Sequence, residues 1–399
     1  MKICIGGRNN IAVDVCQYLL KILPKECIYA IVGKNDDGDD YYQRSFLKYV
    51  TNKGINVVNL PDIYEWDDLI FLSLEFDRII NPKKFKSKKL FNIHFSLLPA
   101  YKGMYTSALP ILNGEEYGGV TFHYMDQGID TGNIVDQVKF QIPNDYKAID
   151  LYLRCIKEGT DLVIKNLNNV LIGNIQSAPQ PSKGSTYYSV DAIDYSNINI
   201  NFKATAGQID CQIRAYSYRP FQLPVVEGYP IFYTEITDCK STEKAGTIIE
   251  NQADYIRVAT IDYDILLYKD RLEEVMQCAR TNDLNSLLNI NHLYKYINEK
   301  EKTHGWTPLI VAAYHNSYDI VKFLVEHGAN INCTNYNGTT VIMYAKNGSM
   351  STGGFKSIDY LLEHGANPNI KDYMDKNLFD YIDESMPVWK HVIKYKEKE

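Results

Sequence analysis

The sequence has few of the features that mark secreted, membrane-spanning or nucleic-acid-binding proteins. Its eight cysteines stand singly with no C-x-x-C pair, so reduced thiols are expected rather than disulfides or a metal site. Acidic residues outnumber basic ones, with a net charge of −7, whereas nucleic-acid binding normally requires a basic surface. No apolar run approaches the roughly 18 residues of a membrane span, and MKICIGGRNN is no signal peptide. These absences predict a soluble, cytoplasmic protein with neither nucleic acid nor membrane as partner.

The first third of the chain has the pattern of an α/β domain. Short apolar runs (KICIGG, IYAIVG, DLIFLSL) alternate with amphipathic segments, which is typical of a mostly parallel sheet covered by helices on both faces. GVTFHYM and NIVDQVKFQI follow as an expected antiparallel pair, and a long helical pattern then ends at Gly173. Residues 1–180 are therefore predicted to form a Rossmann-like α/β domain.

The middle of the chain is less regular. Residues 175–186, IQSAPQPSKGST, are rich in Pro, Ser and Gly and are predicted to be a connection. The segments NININFKA, YPIFYTEI, AGTIIE and YIRVATIDYDILLY are strand-like and are interrupted by IRAYSYRPFQLP. A small β-rich subdomain is expected over residues 187–270.

The last third repeats itself. Gly305 and Gly338 begin two copies 33 residues apart, whereas the two HGAN segments lie 37 apart, so the second copy has a four-residue insertion near SMSTGG. The period and the T-P-L and HGAN elements resemble ankyrin repeats, with a degenerate copy upstream around Asn298. Residues 272–399 are predicted to be a C-terminal α-helical ankyrin domain.

The segment FNIHFSLLPAYKG is the first candidate site. Side chains alternate along a strand, so Asn92 and His94 share one face, and Gly103 permits a turn at the strand exit, where open sheets place their ligand crevices. An isolated Asn-x-His is more often a structural hydrogen-bonded pair, and Asp130 in Gly-Ile-Asp-Thr-Gly would alone be a turn-former. His123, on the GVTFHYM strand, could support the site or be a satisfied core histidine.

In combination these motifs carry more weight. N-x-H-x-S-L-L-P, then Gly-Val-Thr-x-His, then Gly-Ile-Asp-Thr-Gly resembles the formyltransferases that use 10-formyltetrahydrofolate. The resemblance implies that Asn92, His94 and Asp130 are the catalytic trio. When an amine attacks a formyl carbon, the Asn92 amide and a protonated His94 can stabilise the oxyanion, and a carboxylate beside His94 can hold the imidazole or relay the proton. This chemistry needs no metal and no covalent intermediate.

The same resemblance implies a site for the formyl donor, 10-formyltetrahydrofolate. Six residues would line it: Phe76, Arg78 and Ile79 near the pterin ring, and Leu97, Leu98 and Pro99 beside the formyl group. A strand followed by an ordinary loop explains the first three residues as well.

The members of this family differ in the amine that they formylate. Asp and Glu outnumber Lys and Arg over residues 187–270, which argues against methionyl-tRNA because phosphate contacts dominate nucleic-acid affinity. Sugar-nucleotide N-formyltransferases fit best. The ankyrin tail makes the chain most similar to those acting on dTDP-3-amino-3,6-dideoxyglucose in O-antigen and lipopolysaccharide synthesis. Another small amine, or a catalytically silent scaffold that binds partners through its repeats, stays open.

Eight residues are expected at the dTDP-amino sugar: Arg8, Asn9 and Asn10 in GGRNN, Tyr101 and Lys102 after the site strand, and Arg214, Tyr218 and Phe221 in IRAYSYRPFQLP. Arg214 could meet the pyrophosphate, and an aromatic ring could stack on thymine. An ordinary strand-to-helix turn and a corner loop with solvated arginines account for the first and last groups equally well.

The tail and the quaternary structure carry two further expectations. Ankyrin stacks usually bind proteins, so partner binding is the default function of residues 272–399. Trp306 could instead stack a nucleobase and create a second sugar-nucleotide site, although packing against a neighbouring repeat is an equal alternative. The family also implies a homodimer, which apolar strands of the β-rich subdomain could supply.

Overall fold

The structure, a computed structural model, describes residues 1–396. It divides into two compact units. One comprises Met1–Asp39 and Gln43–Lys269, and the other joins Asp40–Tyr42 to the chain from Asp270 onward. Among the described residues, no helix is both long and apolar enough to cross a membrane.

The first unit begins with an α/β fold. Its strands are β1 (Lys2–Gly7), β2 (Ile28–Val32), β3 (Asn56–Val57), β4 (Leu69–Leu74), β5 (Leu90–His94), β6 (Lys102–Gly103), β7 (Tyr117–Tyr124), β8 (Ile134–Gln141) and β9 (Tyr187–Tyr188). Its helices are α1 (Asn9–Ile22), α2 (Phe46–Lys53), α3 (Leu60–Ile63), α4 (Leu109–Leu112) and α5 (Ala148–Ile172).

Seven of these strands form one sheet in the order β3-β2-β1-β4-β5-β7-β8. The pairs from β3 to β5 are parallel, whereas β7 and β8 are antiparallel, which confirms the predicted mostly parallel sheet and the antiparallel pair. All six residues of β4 are buried, because α1, α2 and α5 cover one face of the sheet and the short α3 with the segment around Ile80 and Phe85 covers the other. The long helix α5 ends at Gly173, whose φ of 73° gives the predicted left-handed cap.

The predicted connection at residues 175–186 does more than connect. Ala178 exchanges both backbone hydrogen bonds with Ile134, and farther on β9 pairs with β6, the short strand that follows the site. We call residues 178–188 the strap, because they run along both loops that complete the candidate site.

The second part of this unit is a five-stranded antiparallel sheet packed against one helix. Its elements are α6 (Ala206–Tyr216), β10 (Val225–Val226), β11 (Tyr229–Lys240), β12 (Ile248–Asn251), β13 (Tyr255–Val258) and β14 (Tyr263–Lys269), with the strands in the order β10-β11-β14-β13-β12. A separate apolar core lies between α6 and the sheet, with Ile209, Ile213 and Ile231 fully buried.

Two segments of this part differ from the sequence-based prediction. NININFKA is not a strand; it runs beside α6, where Gln212 accepts a hydrogen bond from the Asn201 N–H at 2.7 Å. The residues IRAY lie at the end of α6 rather than in a loop. The reason is the Thr205 N-cap, whose hydroxyl accepts from Gln208 N at 3.2 Å and starts a helix that buries Ile213.

The second unit is a stack of short helices: α7 (Leu272–Thr281), α8 (Leu284–Leu288), α9 (Pro308–Tyr314), α10 (Tyr318–Glu326), α11 (Val341–Thr352), α12 (Lys356–Glu363) and α13 (Trp389–Val392). This confirms the predicted helical repeats. The insertion in the second copy lengthens α11, which has 12 residues where α9 has 7. The helices α9 and α11 approach closely at Gly348, where a Cβ would lie 2.4 Å from the carbonyl oxygen of Ala313.

Two asparagines make the repeat visible in hydrogen bonds. Asn298 accepts from Asn330 N at 2.7 Å and donates to the carbonyl of Gly328 at 3.1 Å. Asn332 does the same one repeat later, accepting from Asn367 N at 2.8 Å and donating to Gly365 at 3.1 Å. Asn298 therefore acts as a true repeat residue even though the sequence around it is degenerate.

Candidate active site

The central strand β5 places two of the three predicted catalytic side chains. Its antiparallel pairing with β7 sets Asn92 opposite His123 and His94 opposite Thr121. Asn92 is half-buried and His94 is 8% exposed, so both side chains lie at the boundary between the core and the strand exit. The sheet register thus brings His123 to Asn92, a neighbour that the linear sequence left undecided.

The third side chain comes from the loop between β7 and β8. Asp130 has a φ of 54°, in the left-handed region that non-glycine residues rarely adopt. Gly132 lets this loop approach the end of β7, because a Cβ there would lie 1.8 Å from the carbonyl oxygen of Tyr124. The loop also folds on itself, since Asp126 Oδ1 accepts from Gly128 N at 3.1 Å and from the Thr131 hydroxyl at 2.5 Å.

These elements bring the trio together. His94 Nδ1 lies 3.4 Å from Asp130 Oδ2, and Asn92 Nδ2 donates to Asp130 Oδ1 at 3.3 Å. Gly103 N donates to Asp130 Oδ2 at 2.9 Å, and His94 Nε2 lies 2.8 Å from the carbonyl oxygen of Tyr101. The Asp130 carboxylate is therefore the centre to which the side chains of β5 and the loop after it converge.

The protonation of His94 follows from these contacts. A carbonyl oxygen can only accept, so His94 Nε2 carries a hydrogen and donates it to Tyr101. In the neutral imidazole Nδ1 then has the lone pair, and its 3.4 Å separation from Asp130 is longer than a charge-assisted hydrogen bond. Nδ1 is thus the basic atom of the site.

The two pKa shifts must be considered together. Burial lowers the pKa of His94, although Asp130 opposes this effect. Burial alone would raise the pKa of Asp130, but the neighbouring imidazole of His94, His123 and the Gly103 N–H outweigh burial and lower it to about 2. The lowered pKa of His94 favours a neutral imidazole, whereas part of the lowering at Asp130 comes from a positively charged one. We assign a carboxylate to Asp130, which keeps a backbone donor and partial exposure, and a neutral imidazole to the more deeply buried His94.

His123 is part of the site. Its Nδ1 lies 2.8 Å from the carbonyl oxygen of Tyr124, so Nδ1 is the donor and Nε2 accepts from Asn92 Nδ2 at 3.1 Å. Both hydrogens of the Asn92 amide are then directed at protein atoms, His123 and Asp130. Asn92 can meet an oxyanion, as expected, only by exchanging one of these contacts, and its bond to Asp130 is the longer of the two.

The residues expected at the donor lie on two loops. Phe76 packs edge-on against Phe71, and the Arg78 guanidinium lies 5.6 Å from the Phe76 ring and donates to the carbonyl of Val32. Ile79 is 86% exposed, which is unusual for an isoleucine. Arg78 Nε and Asp77 Oδ1 are buried with no hydrogen-bond partner among the described residues.

The wall expected beside the formyl group follows β5. Leu98 is buried, and Gln137 Nε2 donates to its carbonyl at 2.9 Å. Leu97 lies over β7 at Gly119, where a Cβ would come within 2.3 Å of the leucine side chain. Pro99 follows a cis peptide bond and is half-buried.

The GGRNN turn has partners that the sequence did not reveal. Asn9 donates to the Tyr152 hydroxyl at 2.7 Å, and that hydroxyl donates to Glu75 at 3.0 Å. Arg8 lies 3.7 Å from the same carboxylate. Glu75 directly follows β4 at the carboxyl edge of the sheet, and that position was the signal that could have identified it. The side chain of Asn10 instead contacts Arg44, because its Oδ1 accepts a hydrogen bond from Arg44 Nε at 2.9 Å.

Tyr101 and Lys102 belong to the loop that faces His94. The Tyr101 hydroxyl donates to Glu115 at 2.6 Å, and its ring stacks on Tyr188 of the strap. Lys102 Nζ lies 3.1 Å from the hydroxyl of Ser185. The Tyr101 backbone therefore touches the site while its side chain points to other partners.

The three residues of IRAYSYRPFQLP divide into two groups. Tyr218 lies 5.9 Å from the ring of Tyr152 and 5.4 Å from Phe221, which is 60% exposed, so aromatic rings lead outward from the GGRNN turn. Arg214 is different. Its guanidinium bonds Asp210 at 2.7 Å and the carbonyl of Tyr146 at 3.1 Å, which leaves the expected pyrophosphate contact without geometric support.

In the second unit, Trp306 lies in an aromatic cluster. Its ring centroid is 5.0 Å from Tyr344 and 5.4 Å from Tyr314, and the side chain is half-buried. Over residues 1–396 no cluster of three or more His, Cys, Asp or Glu side chains has the geometry of a metal site.

Comparison with known families matches three stretches of the chain. Residues 68–167 match the formyl transferase family, residues 192–282 match the formyl transferase C-terminal domain, and residues 275–372 match ankyrin repeats in three copies.

Two solved structures resemble the chain over most of its first unit. A sugar 3N-formyltransferase, crystallised in the presence of dTDP and 5-N-formyl-tetrahydrofolate, is 40% identical with a TM-score of 0.64 and covers 67% of this chain and 97% of its own. The N-formyltransferase from Helicobacter canadensis, solved with folinic acid and dTDP-3-aminofucose, is 40% identical with a TM-score of 0.63 and covers 68% and 100%.

Curated sequence relatives are more distant. The methionyl-tRNA formyltransferase of Clostridioides difficile is 30% identical over 203 residues, which is 50% of this chain, and the chain spans 65% of that relative's length. The two solved structures are matched over nearly their full length at higher identity. The chain therefore belongs to the formyltransferase family, is similar within it to the sugar N-formyltransferases, and carries C-terminal ankyrin repeats.

Proposed function

We propose that this protein transfers a formyl group from 10-formyltetrahydrofolate to the amino group of a dTDP-linked amino-dideoxy sugar. The observation that carries the proposal is the convergence of Asn92, His94 and Asp130 at one strand exit, in a chain 40% identical to a sugar 3N-formyltransferase. The acceptor that fits this similarity best is a 3-amino sugar, dTDP-3-amino-3,6-dideoxyglucose. A role in O-antigen and lipopolysaccharide synthesis is part of the same proposal.

His94 and Asp130 manage the proton. When the amine nitrogen bonds to the formyl carbon it must lose a proton, and His94 Nδ1 is the basic atom beside Asp130. Burial keeps this imidazole neutral before the reaction, and the Asp130 carboxylate stabilises the imidazolium that forms. The same proton then goes to the nitrogen that leaves as the carbon–nitrogen bond to the donor breaks, so the enzyme returns to its starting state.

Asn92 stabilises the oxyanion. As negative charge develops on the formyl oxygen, one amide hydrogen turns from its long contact with Asp130 to that oxygen, while the other stays on His123. The hydrogen bond to His123 fixes the plane of the Asn92 amide, so that its other N–H is oriented before the substrate binds.

The chain's own residues fit a folate donor. A pteridine ring is flat and has hydrogen-bonding edges, and the loop after β4 offers the exposed Ile79 beside buried atoms of Asp77 and Arg78 that lack partners. We assign the donor to this loop and to Leu97, Leu98 and Pro99 after β5. Bound 10-formyltetrahydrofolate would supply the activated formyl group.

The acceptor is assigned to the GGRNN turn, which leads to aromatic rings. Arg8 and Asn9 share Glu75 and Tyr152, and their polar atoms suit sugar hydroxyls or phosphate oxygens. Tyr218 and the exposed Phe221 suit stacking on thymine. Lys102 and Asn10 stay weaker members of this set, because both contact neighbouring protein atoms.

A homodimer is part of the proposal, supported by apolar residues exposed on the β-rich sheet. Ile236, Ile248 and Ile249 on β11 and β12 are all more than a third exposed. Light scattering coupled to size exclusion would show twice the chain mass, and Ile248→Glu should return a monomer. A monomeric wild-type protein would remove this part of the proposal.

A coupled assay tests the reaction. Purified protein is mixed with 10-formyltetrahydrofolate and a panel of 3-amino and 4-amino dTDP sugars, with glycinamide ribonucleotide as a small-amine control, and tetrahydrofolate release is followed. We expect turnover with the 3-amino sugar. Turnover only with the control amine would overturn the acceptor assignment, and no release with any amine would favour the scaffold alternative.

A further inference from the structure

The strap lies against both loops that complete the site. Backbone hydrogen bonds join Ala178 to Ile134 at 2.8 and 2.9 Å, just beyond the Asp130 loop. Farther on, Lys102 N donates to Thr186 at 3.0 Å and Met104 N donates to Tyr188 at 3.0 Å, on either side of Gly103. A segment with the composition of a linker therefore contacts the two places from which the Asp130 carboxylate is held.

Gln180 makes the closest of these contacts. Its Nε2 donates to the carbonyl oxygen of Asp130 and to that of Gly132, both at 2.8 Å. The two hydrogens of one amide thus hold the loop at the residue that carries the carboxylate and again two residues later. Gln180 Oε1 is buried and has no partner among the described residues, so the side chain's bonding is committed to this loop.

The backbone conformation of Asp130 suggests what the hydrogen bonds of Gln180 do. A φ of 54° lies in the left-handed region, which Asp adopts more often than most residues but at a cost in energy, so a loop held by fewer contacts can relax from it. Relaxation would rotate the carboxylate away from His94 Nδ1, Asn92 and Gly103 N together, since all three contact the same group. Fixing two carbonyls next to the strained residue prevents that rotation.

We propose that Gln180 is a positioning residue for the formyl transfer: its amide clamps the Asp130 loop, so that the carboxylate faces His94 before substrate binds. This inference rests on the proposed function for its effect on rate. The clamp itself does not depend on which amine is formylated. Gln180 acts through Asp130, because within residues 1–396 its side chain donates to the Asp130 loop and not to Asn92 or His94.

The experiment compares Gln180→Met, which keeps the length of the side chain without its donors, with Gln176→Met, an exposed glutamine just before the strap. We expect Gln180→Met to lower kcat by about 10- to 100-fold, because small displacements of a catalytic group have effects of that size, with KM for both substrates within about twofold. Gln176→Met should match the wild type.

A double-mutant cycle separates positioning from general stability. If Gln180 acts through Asp130, then Gln180→Met should change kcat by less than about twofold in an Asp130→Asn background. An equal loss in both backgrounds would overturn the proposal, and so would a kcat for Gln180→Met within twofold of the wild type.

A readout that needs no turnover keeps this test separate from the proposed reaction. Amide hydrogen exchange over residues 126–132 should be faster in Gln180→Met than in Gln176→Met, at unchanged exchange in β5. Unchanged exchange in the loop would reject the clamp. If the wild-type protein formylates none of the amines but the exchange difference is found, the reaction assignment fails and the clamp stands.

Discussion

The strand exit after β5 and the segment IRAYSYRPFQLP were both predicted to face substrate, yet their outcomes differ. At the strand exit, sheet register sets the positions of Asn92 and His94, and the expected cluster forms. In that segment, Arg214 lies on α6, and its guanidinium forms an ion pair with Asp210 four residues earlier. The position of a side chain on a central strand can therefore be predicted from the strand pattern. The partner of Arg214 could not, because it depends on a helix that the sequence pattern did not indicate.

The largest expected effect tests the strand exit. His94→Asn removes the basic nitrogen, so kcat should fall by roughly 100- to 1,000-fold or more with KM little changed, since the side chain acts on the reacting atoms. Steady-state kinetics against the dTDP-amino sugar measures this. His315→Asn, at an exposed histidine of the repeats, is the control and should keep wild-type rates. A near-normal rate for His94→Asn would show that the cluster is structural.

The pH profile tests how the cluster works. Activity needs neutral His94, so the wild-type rate should fall on the acid side as His94 is protonated. Burial and His123 lower the pKa of His94, whereas Asp130, the hydrogen bond to the Tyr101 carbonyl and the charge of Glu75 raise it. Asp130→Asn removes the largest raising influence, so the acid limb of its residual activity should move to lower pH. A shift to higher pH would contradict the assigned charge states.

Phe221→Ala tests the part of the loop that does point outward. Loss of a stacking ring should raise KM for the dTDP sugar by about 3- to 10-fold and leave KM for the folate unchanged. Ile261→Ala is the matched control, because this apolar residue is 61% exposed, close to the 60% of Phe221. Equal kinetics for the two variants would remove Phe221 from the acceptor site.

Arg214→Gln sharpens the comparison from the other side. The loss of partly buried bonds to Asp210 and Tyr146 should destabilise the fold by about 1–3 kcal/mol, measured by thermal or denaturant unfolding, with KM unchanged. Arg154→Gln breaks a more exposed helix pair with Glu158 and should cost less. A raised KM at normal stability would restore the pyrophosphate role of Arg214.

The smallest effect is expected in the repeats. Trp306→Ala should leave the kinetics of the first unit unchanged but reduce the number of dTDP-sugar molecules bound per chain, if the indole forms a second site. Titration calorimetry with the dTDP sugar gives this stoichiometry. An unchanged stoichiometry would assign Trp306 to packing against Tyr344 and Tyr314 alone.

How far the sequence predicted the molecule depended on the range of the interactions involved. Hydrophobic patterns within short segments predicted the strands and helices, and the 33-residue spacing predicted the repeats. Both patterns can be recognised along the sequence without knowing which segments pack together. The role of His123 depended on strand register, and that of Glu75 on a tyrosine 77 residues away. Gln180 was hidden because a Pro- and Ser-rich segment resembles any linker until its partners are known.

The hydrogen bonds of Asn298 and Asn332 make the two ends of the repeat stack unequal. Asn298 supports the turn at Asn330, and Asn332 supports the turn at Asn367, so each copy receives its support from the copy before it. Loss of a copy at the C-terminal side exposes one asparagine to water, which can replace its partners. Loss of a copy at the N-terminal side removes the acceptor on which the next turn depends. We therefore expect the stack to tolerate loss of a copy at its C-terminal side better than loss of the copy that follows β14.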